Sequence, residues 1–188
     1  MTFRLTFGNQ DPGTRRAVSL AVDRQTFDRL VLEHLASAQR FAIRLTGDSH
    51  AAEDLMQDAL LRAHRSWQSF RGESKFTTWF YRIVINCFRD HGRQIARSEP
   101  LRADSVDARV SDPARAAQSR EFAETVASEV SLLPPRQREV LVLSAYEQLS
   151  ITEIAAVLAT NEQNVRTHLH LARERLRVRL RPHVGHAT

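Results

Sequence analysis

Cysteine is almost absent from this 188-residue chain, with Cys87 standing alone. One thiol cannot close an internal disulfide, and it excludes any zinc site built from several thiolates; such sparing use fits a reducing compartment. Lysine is just as scarce, Lys75 being the single lysine among 27 basic residues. Long apolar runs are missing too. No stretch approaches the roughly 18 apolar residues that span a membrane, and the opening MTFRLTFGNQDPGTRR holds no apolar core of the signal-peptide kind. The expected location is therefore cytoplasmic. There is no βαβ rhythm, no internal repeat and no strand-rich stretch.

What is present is 42% apolar residues, enough to build one large core or two small ones, and a net charge of +5 with a pI near 10.5. A basic balance favours an anionic partner such as nucleic acid. The arginine excess over lysine also follows from a GC-rich genome, which lowers its weight as evidence.

Helical periodicity organises the first half. From Asp23 to Leu45 the positions Phe27, Leu30, Val31, His34, Leu35, Ala38, Phe41, Ala42 and Leu45 recur at three and four. Gly47 is placed to end this helix in a left-handed cap. Asp48 or Ser49 can cap the next, whose stripe is Ala52, Leu55, Met56, Ala59, Leu60, Ala63 and Trp67. Its other face carries Glu53, Asp54, Gln57, Asp58, Arg62 and Arg65, which composition alone reads as a solvated surface. After the polar loop QSFRGESKF, Thr77 or Thr78 can start a third helix with Phe80, Ile83, Val84, Cys87 and Phe88 inward. Around that core Trp79, Tyr81, Arg82, Asn86, Arg89 and Arg93 interleave aromatics with arginines. Such a mixture can stack unpaired bases and hold phosphates, or it can be an ordinary half-buried helix surface.

From Arg93 to Asp112 the periodicity fails and Ser, Asp, Arg and Pro dominate, the mark of a linker. The expectation is an all-α fold of two small helical domains: an N-terminal extension over 1–22, a first domain over 23–95, a flexible linker over 96–112, a second domain over 113–182 and a tail over 183–188. Asp112 and Pro113 suit a helix start, and Phe122, Val126, Val130 and Leu133 continue an apolar stripe. Pro134 and Pro135 break it and open a helix with Val140, Leu141, Leu143 and Tyr146.

Ser150-Ile-Thr-Glu153 has the capping-box pattern, in which each side chain satisfies a free backbone N–H at the helix start. A short helix to Leu158, a turn over Ala159 to Asn161 and a long basic helix follow, which is the order of a helix-turn-helix. Within TNEQNVRTHLHLARERLRVRL the residues Val165, Leu169, Ala172, Leu176 and Leu180 form the inward stripe. Arg166, Thr167, His170, Arg173 and Arg177 are left facing outward. Arginine can pair with guanine and threonine can touch a thymine methyl or a phosphate, yet a solvated helix satisfies the same spacing. His168 and His170, two apart on a helix, diverge, and no third ligand lies three or four residues away, so the pattern names no metal.

With both halves in view the chain resembles the extracytoplasmic-function sigma factors, small two-domain members of the bacterial sigma-70 family that direct RNA polymerase to promoters. AAEDLMQDALLRAHRSWQSFRGESKFTTWFYRIVIN is similar to the family's region 2, and LLPPRQREVLVLSAYEQLSITEIAAVL to region 4; the resemblance covers about Phe27 to Arg181. It implies that Asp54, Gln57, Asp58 and Leu61 dock on core RNA polymerase, through its β′ and β subunits. It implies further that Phe70, Arg71, Ser74, Phe76, Trp79, Arg82, Asn86 and Arg89 capture the non-template strand of the minus-ten element. Arg166, Thr167, His170 and Arg173 would face the minus-thirty-five element, and an anti-sigma factor would be a further partner. No cofactor, metal or catalytic residue is implied, and the chain is not expected to be an enzyme. Departures fall in the turn and reading helix: ATNEQNV stands where the family favours a Gly-containing turn ending in Gly-Thr-Val, and Leu171 replaces a common arginine. A helix-turn-helix regulator acting without polymerase is the competing class, and a nuclease would need a metal-binding cluster that the sequence does not offer.

Overall fold

The computed structural model describes residues 12–70, 72, 74–95 and 115–184. Seven α-helices organise them: α1 Pro12–Thr46, α2 Ser49–Ser66, α3 Phe76–Ile95, α4 Arg115–Ser131, α5 Pro135–Ala145, α6 Ile151–Leu158 and α7 Glu162–Val184, with one 3-10 turn at Trp67–Ser69. No strand occurs among the described residues, as the periodicities predict. The chain divides into two compact units, one ending at Leu35 and one beginning at Ala36. The linker expected over 96–112, the helix start expected at Asp112 and the tail beyond Val184 lie outside the described residues.

α1 begins at Pro12, inside the segment read as an extension and well before Asp23. Its end is as expected. Gly47 takes φ +77° and donates its N–H to the Ile43 carbonyl at 2.8 Å. The Thr46 hydroxyl reaches back to the Ala42 carbonyl at 3.0 Å, and the Asp48 carboxylate accepts from the Ala51 N–H at 2.7 Å, so Asp48 rather than Ser49 caps α2.

The core of this half is built from Ala38, Phe41, Ala42 and Leu45 of α1, Leu55, Met56, Ala59 and Ala63 of α2, and Phe80, Val84, Ile85 and Cys87 of α3, all buried. Each large apolar side chain buried this way contributes about 1.5–3 kcal/mol. α3 starts at Phe76, one or two residues before the threonines proposed for it, and Thr78 is buried. Tyr81 corrects the sequence reading more sharply: it turns inward, 4% exposed, its ring 4.8 Å from that of Phe41. Two polar links tie α2 to α3, Arg62 to Asp90 at 2.6 Å and Asp58 to His91 at 2.7 Å.

In the second half α5 is buried over most of its surface, with Gln137, Glu139, Val140, Leu141, Val142 and Leu143 all enclosed. Val130 and Leu133 join it, whereas Phe122 is 42% exposed and does not continue the stripe. Tyr146 also falls outside the core, lying under the Arg44 guanidinium at 4.1 Å. Arg138 ties together the C-terminal ends of α1 and α4. Its guanidinium donates to the carbonyl of Leu45 at 2.5 Å, to that of Leu133 at 3.1 Å and to that of Ser131. Burial pushes the Arg138 pKa down from the ordinary arginine value, opposed by the neighbouring Glu139.

The α1–α2 corner touches α4 at one tight point. A Cβ added at Gly47 would meet the Ser131 Cβ at 2.8 Å, besides straining a left-handed backbone. Gly47→Ala should therefore lower stability by about 1–3 kcal/mol. Gly92→Ala, in α3 with open space around it, should raise stability by about 0.5–1 kcal/mol. Thermal melting of the two variants checks the opposite signs.

Candidate nucleic-acid interface

The helix-turn-helix is set by three local devices. Ser150 accepts from the Glu153 N–H at 3.2 Å while the Glu153 carboxylate accepts from the Ser150 N–H at 3.0 Å, which completes the capping box. Ala159 closes α6 in the left-handed region at φ +50°, where a glycine is the less strained choice. Asn161 then caps α7, its side-chain oxygen accepting from the Asn164 N–H at 2.8 Å. Val165, Leu169 and Ala172 are buried, while Leu176 and Leu180 are only half-buried, so the inward stripe weakens along α7.

That register leaves Arg166, Thr167, His170 and Arg173 exposed, as the spacing predicts, together with Arg177. Leu171 is exposed as well, at 41%, on the outer side of the helix. Arg166 is not loose: it donates to Glu162 at 2.7 Å, one turn earlier. The Thr152 hydroxyl reaches the same carboxylate at 2.7 Å, and these two donors hold Glu162 below the ordinary carboxylate range. A contact from α6 thereby orients the first arginine of α7.

A cluster of aromatic rings shapes the loop before α3. Trp67 stacks on Phe70 at 5.3 Å, Phe70 lies 5.1 Å from Trp79, and Phe76 lies 5.6 Å from both Trp79 and Phe80. Phe70 and Trp79 are half-buried, but Phe76 is 8% exposed, so its ring supports the others rather than offering a face. Ser74, Arg82 and Asn86 are exposed and Arg89 is half-buried; Arg71 lies outside the described residues. Trp79, Arg82, Asn86 and Arg89 are spaced by three, four and three and share one face of α3.

This face meets α5 and α6. Arg89 forms a two-point fork with Glu139, Nε at 3.0 Å and Nη2 at 2.8 Å, and Glu139 is fully buried. Arg136 approaches the same carboxylate at 3.3 Å. Arg82 donates to the Ala156 carbonyl at 2.6 Å, and Lys75 to Glu153 at 2.7 Å. The Tyr81 hydroxyl donates to Glu147; burial, then this carboxylate, raises the phenol pKa above its ordinary value.

On α2, Asp54, Gln57 and Leu61 are exposed, Leu61 at 56%, and the half-buried Asp58 is held by His91. Nothing in the local sequence pattern points to Glu139, Glu147 and Glu153 as the partners of Arg89, Tyr81 and Lys75. Sequence signals only that Glu139 needs some partner, because the run Val140 to Leu143 leaves α5 no solvated side for an acid beside it.

Residues 30–98 match the family model described as Sigma-70 region 2, and residues 124–176 that described as Sigma-70, region 4. The RNA polymerase sigma-H factor of Pseudomonas aeruginosa is 33% identical over 171 residues, covering 85% of this chain and 89% of that protein. The ECF RNA polymerase sigma factor SigW of Bacillus subtilis is 33% identical over 172 residues, covering 85% and 91%. Among solved structures, the sigma factor RpoE of Bartonella quintana, in complex with the anti-sigma factor NepR, matches with a TM-score of 0.70 and 25% identity over 84% of this chain and 98% of that one. CnrH in complex with the cytosolic domain of CnrY matches with a TM-score of 0.63 and 26% identity, over 85% and 90%.

The Lys75 ammonium, with the N–H and hydroxyl of Ser150, holds the Glu153 carboxyl down to about 2 from 4.5. Because the folded pKa is the lower one, this group stabilises the fold above about pH 4.5, and the contribution is lost as pH falls toward 2. Melting temperature over that window should fall less steeply for Glu153→Gln, whose amide can keep the capping box, than for the parent chain; equal slopes would refute the assignment.

Proposed function

We propose, for a chain that belongs to the extracytoplasmic-function sigma factors of the sigma-70 family, that it binds core RNA polymerase, reads minus-thirty-five and minus-ten promoter elements and promotes local melting of the duplex. Its relatives are transcription factors rather than enzymes, and no step of this reading uses a nucleophile, a general base or a metal. The modules are those drawn from the sequence: 23–95 for polymerase and minus-ten contacts, 96–112 as linker and 113–182 for minus-thirty-five contacts. No described helix is long and apolar enough to cross a membrane, in keeping with action beside polymerase in the cytoplasm.

The observation that carries the reading is the outward set Arg166, Thr167, His170 and Arg173 on α7, behind a capped α6 and a tight turn. An exposed helix of this width fits the major groove, where its first turns reach base edges. Glu162 turns Arg166 toward the start of α7, and the same carboxylate can accept from a cytosine amino group. On α3, the half-buried rings of Phe70 and Trp79 offer stacking surface for a base taken out of the duplex, which offsets part of the cost of unstacking. Arg71, Ser74, Arg82, Asn86 and Arg89 would hold the strand around it, with Phe76 fixing the platform. Asp54, Gln57, Asp58 and Leu61 would dock on the β′ and β subunits. The two similar solved chains were captured with an anti-sigma factor and with the cytosolic domain of CnrY, which supports an inhibitory protein as a further partner here.

Transcription in vitro with purified core polymerase and a randomised promoter library tests the whole reading, and a chain that fails to bind core polymerase refutes it. Asp54→Ala/Leu61→Ala, at two exposed positions, should weaken core binding by about tenfold or more, about 1.4 kcal/mol, without changing the melting temperature. A regulator acting without polymerase would be indifferent to that change. Arg166→Ala should cost on the order of 1–3 kcal/mol and relax one minus-thirty-five position if it pairs with a base. A uniform loss over all sequences with a shallower salt dependence would assign it to phosphate instead.

A further inference from the structure

The outward face of α7 carries an apolar side chain among charged and polar ones. Leu171 is 41% exposed, with His170 beside it and Thr167 one turn earlier, both exposed. A lone surface leucine needs no explanation by itself, but the state of Thr167 gives this one a meaning. The Thr167 hydroxyl donates to the Gln163 carbonyl at 3.0 Å, one turn back on the same helix. A threonine hydroxyl has a single proton, so Thr167 has no donor left for a phosphate oxygen or for an acceptor on a base. What it can offer outward is a methyl group and an oxygen lone pair. Residues four apart are neighbours on a helix surface, so the Thr167 methyl and the Leu171 side chain make a small apolar patch, about 6 Å long at the helical rise per residue. The exposed Arg166, His170 and Arg173 lie along one side of it.

We infer that Thr167 and Leu171 form a methyl reader, packing in the major groove on the C5 methyl of one thymine in the minus-thirty-five element. This deepens the assignment of α7 to that element and rests on it. Thymine alone among the four bases carries a methyl group on its major-groove edge. An amino or carbonyl group placed against Leu171 instead is cut off from water with no partner, which costs free energy. The patch therefore attracts thymine and disfavours the other bases at the same place. It occupies the second and third turns of α7, close to the N-terminal half that such helices insert into the groove. Arginine alongside it holds guanine or phosphate, so the apolar contact adds a discrimination that the cations of this face do not provide.

Replacing thymine by uracil removes that methyl and leaves base pairing unchanged, which makes the test specific. Core polymerase carrying the full chain is bound to a promoter recovered from the randomised library, with each thymine of the minus-thirty-five element, on either strand, replaced singly by uracil. At one position the replacement should weaken binding about fourfold, the effect of withdrawing one buried methyl group. The penalty should vanish in Leu171→Ala, which should bind the thymine and uracil promoters alike. Thr167 separates methyl from hydroxyl: Thr167→Val should retain the uracil penalty, and Thr167→Ser should reduce it. A selected element with no thymine, equal binding of thymine and uracil at every position, or a penalty that persists in Leu171→Ala overturns the methyl reader. So does a penalty kept by Thr167→Ser and lost by Thr167→Val, the pattern of a hydroxyl contact. A chain that initiates while giving any of these results loses only the methyl reader, whereas one that never binds core polymerase loses the sigma assignment and the reader with it.

Discussion

A carboxylate with no access to water governs the second half of this molecule. Glu139 is fully buried in α5, and an acid in that position is tolerated only when partners replace its hydration. Arg136 lies one turn earlier on the same helix, but at 3.3 Å it makes only a single contact. The fork comes from Arg89, 50 residues away on α3. Removing one member of such a pair typically costs about 3–5 kcal/mol, because the other stays buried and unpaired. The adjacency of α3 and α5 is therefore enforced by a polar requirement rather than by apolar contact alone.

The neighbouring residue works in the opposite sense. Arg138 brings a cation to the carbonyls at the ends of other elements, those of Leu45, Ser131 and Leu133. Helix C-termini present carbonyls that no intrahelical donor satisfies, and a guanidinium has enough N–H groups to serve several of them. One helix of 11 residues thus carries, side by side, an acid that recruits a cation and a cation that recruits helix ends. The exposed pairs around them, such as Arg177–Glu174, are salt-screened and add little.

Local chemistry made much of this architecture readable beforehand. The left-handed Gly47, the Asp48 cap, the Pro134–Pro135 break, the capping box and the outward register of Arg166, Thr167, His170 and Arg173 each depend on residues a few positions apart. What was not legible depends on residues far apart. Periodicity places Tyr81 on the outer side of α3, and only the approach of Phe41 and Glu147 turns it inward. Phe122 and Tyr146 fit an apolar stripe by spacing but stay partly exposed, Tyr146 meeting the Arg44 guanidinium instead of the core. The engagement of Arg89, the half-buried member of the expected strand-binding set, was invisible for the same reason: its partner Glu139 lies 50 residues further along the chain.

Sulfur in the described residues is confined to the interior. Cys87 is buried among the apolar side chains of the first core, and burial pushes its thiol above the ordinary value, so little reactive thiolate forms; Met56 is 4% exposed. Peroxide or a thiol-modifying electrophile therefore meets no accessible sulfur on this part of the folded chain. Oxidation at either sulfur in these helices therefore requires the core to open first, which ties any such damage to loss of the fold rather than to the surface.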